Sequence, residues 1–116
     1  MSEIRLKRAY DPPEPADGVR VLVDRLWPRG VKKSEAEISV WLKDVAPSTA
    51  LRQWFGHDPV KWAEFQKRYR TELSHSGAFE ELEAVVARNP RTTFVFSASD
   101  PDHNNAIVLR NLCDSA

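Results

Sequence analysis

Val19-Arg20-Val21-Leu22-Val23-Asp24-Arg25-Leu26-Trp27-Pro28-Arg29-Gly30 joins two kinds of sequence end to end. Val21, Leu22 and Val23 put apolar side chains on both faces of a pleat, the mark of a strand covered front and back, as in a parallel sheet. Asp24, Arg25, Trp27 and Arg29 follow at its C-terminal end. Pro28 has no N–H for a ladder, so pairing should stop near Trp27, and Gly30 lets the chain turn away. A dry strand that delivers an acid, two guanidiniums and an indole to its end marks a candidate site.

The rest of the chain supplies neighbours for this strand. From Ile4 to Ala9, apolar Ile4 and Leu6 alternate with basic Arg5 and Lys7, the period of a strand with one drier face. Asp11 to Gly18 is rich in breakers and short for a helical crossover. The first two strands are therefore either an antiparallel pair or joined by an extended crossover; the crossover is the preferred reading. Beyond Gly30 the pattern turns helical. Ser34-Glu35-Ala36-Glu37 fits a capping box with Ser34 as N-cap. A short helix is expected from Ser48 to Phe55, stopped by Gly56, and Asp58-Pro59 opens the next. Trp62, Phe65, Tyr69 and Leu73 form one apolar stripe from Pro59 to about Ser74. A second amphipathic helix is expected over 78–88, ended by Asn89-Pro90. Thr92 to Phe96 has strong strand propensity, and a final helix carries Ile107, Val108, Leu109 and Leu112. This order predicts an α/β fold: one domain over 1–116, a small sandwich with a mostly parallel three-stranded sheet packed by helices.

Ligands of such sheets sit beyond the carboxyl ends of the strands. That rule gathers three polar clusters: Arg8 with Tyr10, Asp24 through Arg29, and Ser97 through Asn104. Arg25 and Arg29 offer two planar forks to a phosphate or carboxylate; alternatively, Arg25 clamps a strand end by pairing with Asp24, Asp100 or Asp102. In the ligand-binding reading Asp24 and Asp100 or Asp102 orient the guanidiniums. Asp100 and Asp102 open the last helix, where they either cap its amides or leave them to an anion. His103 has the side chain best suited to proton transfer or anion contact, with Asp24 the other candidate for proton transfer. Arg25, Arg29, Ser99, His103 and Asn104 are the candidate ligand-binding residues. Histidines at 57 and 103 lack the spacing of a metal pair, so no metal or cofactor is expected.

Composition narrows the function classes. The 116 residues carry 17 basic and 17 acidic side chains, so no bulk positive field exists for gripping nucleic acid. No apolar run has membrane-spanning length, and the single Cys113 excludes an internal disulfide; a reduced cytoplasmic protein is expected.

The stretch from Val21 to Gly30 also resembles a known family. So do Trp41-Leu42-Lys43-Asp44-Val45-Ala46-Pro47-Ser48, Trp54-Phe55-Gly56-His57-Asp58-Pro59 and Asp100-Pro101-Asp102-His103-Asn104-Asn105-Ala106. Together these motifs resemble the DUF488 family in its short, YeaO-like branch, over nearly the whole chain. The resemblance implies a compact cytoplasmic α/β protein and brings no reaction with it. Longer relatives often place a cysteine beside the histidine of the last motif. Here Asn104 and Asn105 follow His103, which argues against a thiolate nucleophile.

The functional expectation is a protein that binds or processes a small anionic ligand at the strand ends. The alternatives are a nucleic-acid module using Lys61, Lys67, Arg68 and Arg70 on the 59–74 helix, and an interaction adaptor anchored by exposed tryptophans.

Overall fold

The computed structural model describes residues 2–114. Four strands, β1 (Glu3–Arg8), β2 (Val19–Leu22), β3 (Val40–Trp41) and β4 (Arg91–Phe96), form one parallel sheet in the order β1-β4-β2-β3. The helices are α1 (Lys33–Ala36), α2 (Thr49–Phe55), α3 (Trp62–Ser74), α4 (Ala78–Arg88) and α5 (Asn105–Asp114). The antiparallel alternative for β1 and β2 is eliminated, because β4 lies between them and is parallel to both.

The sheet has one strand more than the sequence predicts. β3 has only two residues, too few to show a period, and it is fixed by its register of Val40 against Val21 and Trp41 against Leu22. The expected capping box at Ser34 is also absent. Lys32 precedes α1 without a side-chain cap, and the helix ends after one turn at Glu37, whose φ is 50°. The chain must turn there to bring β3 alongside β2, where the Ser39 amide donates to the Arg20 carbonyl at 2.8 Å. The signals around α2 and α3 hold: Ser48 caps α2 by accepting from the Leu51 amide, Gly56 ends it with φ 53°, and Asp58 accepts from Val60 ahead of α3.

Strand alternation divides the sheet into two unlike faces. On one, Val21, Val23, Phe94 and Phe96 meet Leu51, Phe55, Phe65, Tyr69 and Leu73 of α2 and α3, Leu82 and Val85 of α4, and Val108 and Leu109 of α5, in a continuous core. The other face carries Lys7, Arg20 and Thr93, and the extended crossover from β1 to β2 lies over it. Thr93 donates its hydroxyl to the Asp17 carbonyl at 2.7 Å. The Asp17 carboxylate accepts from Arg20 Nη1 at 2.7 Å, Lys7 Nζ at 3.1 Å and the Glu14 amide at 3.0 Å. Gly18 completes the crossover at φ 65°, and a Cβ there would stand 2.3 Å from the Arg91 carbonyl oxygen, so only glycine fits. No described helix is long and apolar enough to cross a membrane.

Two expectations concern stability. Phe65 stacks on Phe55 at 4.3 Å between ring centroids and is buried in the core. Phe65→Ala should therefore cost roughly 3–5 kcal/mol in urea unfolding, and a loss under about 1 kcal/mol would remove Phe65 from the core. Burial alone would raise the Asp17 pKa, but the Glu14 amide, Lys7 ammonium and Arg20 guanidinium overcome it and hold the carboxyl below its ordinary 3.8. Because the folded pKa is depressed, this stabilisation is present above the unfolded value and lost as pH falls through the folded one. Asp17→Asn should lower stability at neutral pH and flatten its decline below about pH 4; an unchanged acid limb would contradict the assignment.

Candidate active site at the strand ends

The carboxyl ends of β1, β2 and β4 open into a cleft of about 520 Å³. Of the residues expected at the site from sequence, Asp24, Arg25, Arg29, Ser99, His103 and Asn104 lie along it, with Arg8 and Tyr10, whereas Asp100 and Asp102 do not line it. Three further polar residues line it that the sequence does not assign there: Arg52 on α2, Asn105 at the start of α5, and His57, which the sequence offers only as a metal ligand. Arg52 carries no local signal, because a single arginine on a short helix looks like any solvated residue until α2 is placed. Asn105 stood in the closing motif, but only its contacts reveal its use.

Asp24 is the joint of the site. Its Oδ2 accepts from the amide and hydroxyl of Ser97 at 2.8 and 2.6 Å, and its Oδ1 from Asn105 Nδ2 at 3.1 Å. The same Asn105 nitrogen donates to the Val23 carbonyl at 2.9 Å. Trp41 Nε1 donates to the Asp24 carbonyl at 2.7 Å. Asp24 thus ties the ends of β2 and β4 to α5 instead of orienting a guanidinium.

Arg25 takes none of the three carboxylate pairings expected of it, with Asp24, Asp100 or Asp102. One Nη2 bond reaches the Ala46 carbonyl at 3.3 Å, and Nη1 lies 3.8 Å from Asp44, whose side chain is 88% exposed. Its Nε is buried with no partner. Ala46 is in turn held by its neighbour, because the buried Tyr69 hydroxyl donates to the Val45 carbonyl. Burial, with the charges of Asp24 and Glu72, pushes the Tyr69 pKa well above its ordinary value, so the hydroxyl stays a donor. Arg29 is exposed, and among the described residues neither its guanidinium nor that of Arg52 has a hydrogen-bond or carboxylate partner. Arg8 is committed to the protein, donating from Nε to the Ala98 carbonyl at 3.0 Å.

The loop from Asp100 to Asn104 is also held differently from the expectation. Asn104, not Asp100 or Asp102, caps α5: its Oδ1 accepts from the Ile107 amide at 3.1 Å, and its Nδ2 donates to the Asp100 carbonyl at 3.0 Å. Both ends of that side chain are therefore used internally. Asp100 instead accepts from the Asp102 amide at 2.9 Å and pairs with His103 Nδ1 at 2.8 Å. The amide first, and then the imidazole, hold its carboxyl below the ordinary value. His103 also meets Trp62 edge to face at 5.3 Å. Fixed in this way, its Nε2 is the ring nitrogen left to contact a ligand or carry a proton. His57 reaches the cleft from a residue with φ 58°, an uncommon conformation for a non-glycine residue. Among the described residues no group of three His, Cys, Asp or Glu is placed to hold a metal ion. Burial, with Glu83 and Asp114 nearby, pushes the Cys113 thiol up to about 12, and it does not line the cleft.

Residues 3–116 match the model of DUF488-N3i, described as the inactive DUF488-N3 subclade. The chain belongs to the DUF488 family. An uncharacterised protein of Mycobacterium tuberculosis H37Rv is 44% identical over 111 residues, covering 96% of this chain and 93% of the relative. The uncharacterised protein YeaO of Escherichia coli K12 is 42% identical over 106 residues, covering 91% of this chain and 92% of YeaO. No solved structure matches the chain.

Asp24→Ala would strand the Ser97 amide and hydroxyl and leave Asn105 with only its bond to the Val23 carbonyl. It should cost roughly 1–3 kcal/mol in chemical denaturation; a change below about 0.5 kcal/mol would mean that Asp24 is not the joint.

Proposed function

We propose that this DUF488 member binds a small anionic ligand, phosphate- or carboxylate-bearing, at the C-terminal ends of its strands, and does so without turning it over. One observation carries the reading. Arg29 and Arg52 line the cleft with unpartnered guanidiniums, and the buried Arg25 Nε beside them has no acceptor. Buried donors are almost always satisfied, and Arg25, a residue of the cleft lining, keeps one with no acceptor inside the protein. Four arginines and one aspartate line the cleft, and that aspartate is occupied by Ser97 and Asn105. A protein of zero formal net charge has concentrated positive charge in one concavity.

Binding without turnover is supported by the description of the subclade as inactive and by the high pKa of the lone, off-site thiol. His103, held by Asp100, serves in this reading as an anion contact. A single cysteine without a disulfide partner fits a reducing, cytoplasmic setting.

The nucleic-acid alternative on α3 has less support. Lys61 donates to the Trp54 carbonyl at 2.8 Å and Arg68 to Glu64 at 2.9 Å, so half of its basic set is engaged within the protein. The adaptor reading loses its anchors, because the exposed large apolar residues among those described are Tyr10, Leu26 and Val60, and no tryptophan is among them.

Thermal unfolding with added pyrophosphate, at matched ionic strength, tests the proposal. Ligand at a hundredfold over its dissociation constant should stabilise the protein by about 2.7 kcal/mol. Arg25→Lys should weaken binding about tenfold although it keeps the charge, because an ammonium lacks the planar fork. Arg29→Ala should weaken binding while leaving unliganded stability within about 0.5 kcal/mol. No protection by pyrophosphate, or parental affinity in both variants, would sink the reading.

A further inference from the structure

We propose that the ligand of this cleft is a nucleoside phosphate, its phosphate at Arg25, Arg29 and Arg52 and its base against the Tyr10 ring. This deepens the anion-binding reading and rests on it. Tyr10 is 48% exposed, which would mean little for a ring free to move. This ring is not free. Its hydroxyl donates to the Arg29 carbonyl at 3.2 Å, and the Arg8 guanidinium lies 5.1 Å from its centroid. Arg8 is itself fixed by the Ala98 carbonyl. An aromatic ring held at its hydroxyl and by a cation, yet half open to solvent, is a prepared stacking surface.

The ring and the cations are coupled through a single residue. Arg29 presents its guanidinium to the cleft while its backbone carbonyl holds the Tyr10 hydroxyl. Leu26, 63% exposed, lines the same cleft. Two of the three exposed large apolar side chains among the described residues thus stand at one arginine-rich opening. A carboxylate or inorganic phosphate uses the arginines and leaves that apolar rim idle. A nucleoside phosphate uses both, and a cleft of about 520 Å³ lies in the range of pockets that hold ligands of this size. Stacking on a tyrosine is indifferent to base identity, so little discrimination among bases follows. A free nucleotide is favoured over a strand because the chain has no net positive charge to track a backbone.

The test is isothermal titration of the full chain, at fixed ionic strength, with AMP, CMP, ribose 5-phosphate, inorganic phosphate and a 5′-phosphorylated thymidine pentamer. AMP and CMP should bind about tenfold more tightly than ribose 5-phosphate, the lower range for one stacked base. Tyr10→Ala should erase that advantage, weakening AMP and CMP about tenfold more than ribose 5-phosphate; Tyr10→Phe should keep most of it. Equal affinity for AMP and ribose 5-phosphate would overturn the nucleoside while the anion site stands. Equal losses for both ligands in Tyr10→Ala would make the ring a support for Arg29, not a stacking surface, and would also overturn it. A pentamer that binds more tightly than AMP, and loses that affinity steeply when the titration is repeated at higher salt, would replace the free nucleotide with a strand. Binding by none of the five would remove the phosphate site, and the nucleoside with it.

Discussion

The Asp24 carboxylate receives hydrogen bonds from the Ser97 amide, the Ser97 hydroxyl and the Asn105 side chain, while its own carbonyl receives the Trp41 indole. Four elements, β2, β3, β4 and α5, therefore meet on one residue. A parallel sheet leaves its strand ends without the mutual ladder that a hairpin would supply. Asp24 closes that gap, and a charged acceptor makes stronger bonds than a neutral one. Everything after it in the chain, from Arg25 to Gly30, leaves from a fixed point. The position of the cleft wall is in this sense a property of one carboxylate.

The opposite wall is tied to the core by a relay. Tyr69, fully buried in α3, donates to the Val45 carbonyl, and the adjacent Ala46 carbonyl accepts from Arg25. Farther along, the Glu72 carboxylate accepts from the Ser48 amide at 2.9 Å at the start of α2, the helix that carries Arg52. The long helix thus braces both the loop whose carbonyl holds Arg25 and the start of the helix that carries Arg52. Its aromatic stripe does double duty, since Phe65 packs the core and also lines the cleft floor.

Much of this was legible in the sequence because it depends on local chemistry. Val21, Leu22 and Val23 had to be buried on both faces, and they are. The bounds of α4, and the caps at Ser48, Gly56 and Asp58, follow from residue type alone. The strand-end rule located the cleft. What it could not supply was the partner of each side chain, which depends on contacts between residues far apart in the chain. Asp24 bonds to Ser97, 73 positions away, and Arg25 to Ala46, 21 away, where the obvious local pairings with neighbouring acids fail. The missed strand β3 belongs to the same class, because two residues gain strand identity only from the neighbour they join. The capping box at Ser34 failed for the converse reason: a sound local signal was overruled by the need to turn toward β2.

The strand order carries a consequence for synthesis. β4, the last strand in sequence, lies between β1 and β2, so residues 3–8 find their only ladder partner at 91–96. Until β4 emerges from the ribosome, β1 has nothing to pair with, and the apolar face of β2 lacks Phe94. Such non-local closure slows folding and leaves nascent apolar surface uncovered for most of translation. The alternation of Glu3, Arg5 and Lys7 with apolar residues gives the waiting edge charges of both signs, which discourage it from pairing with another chain.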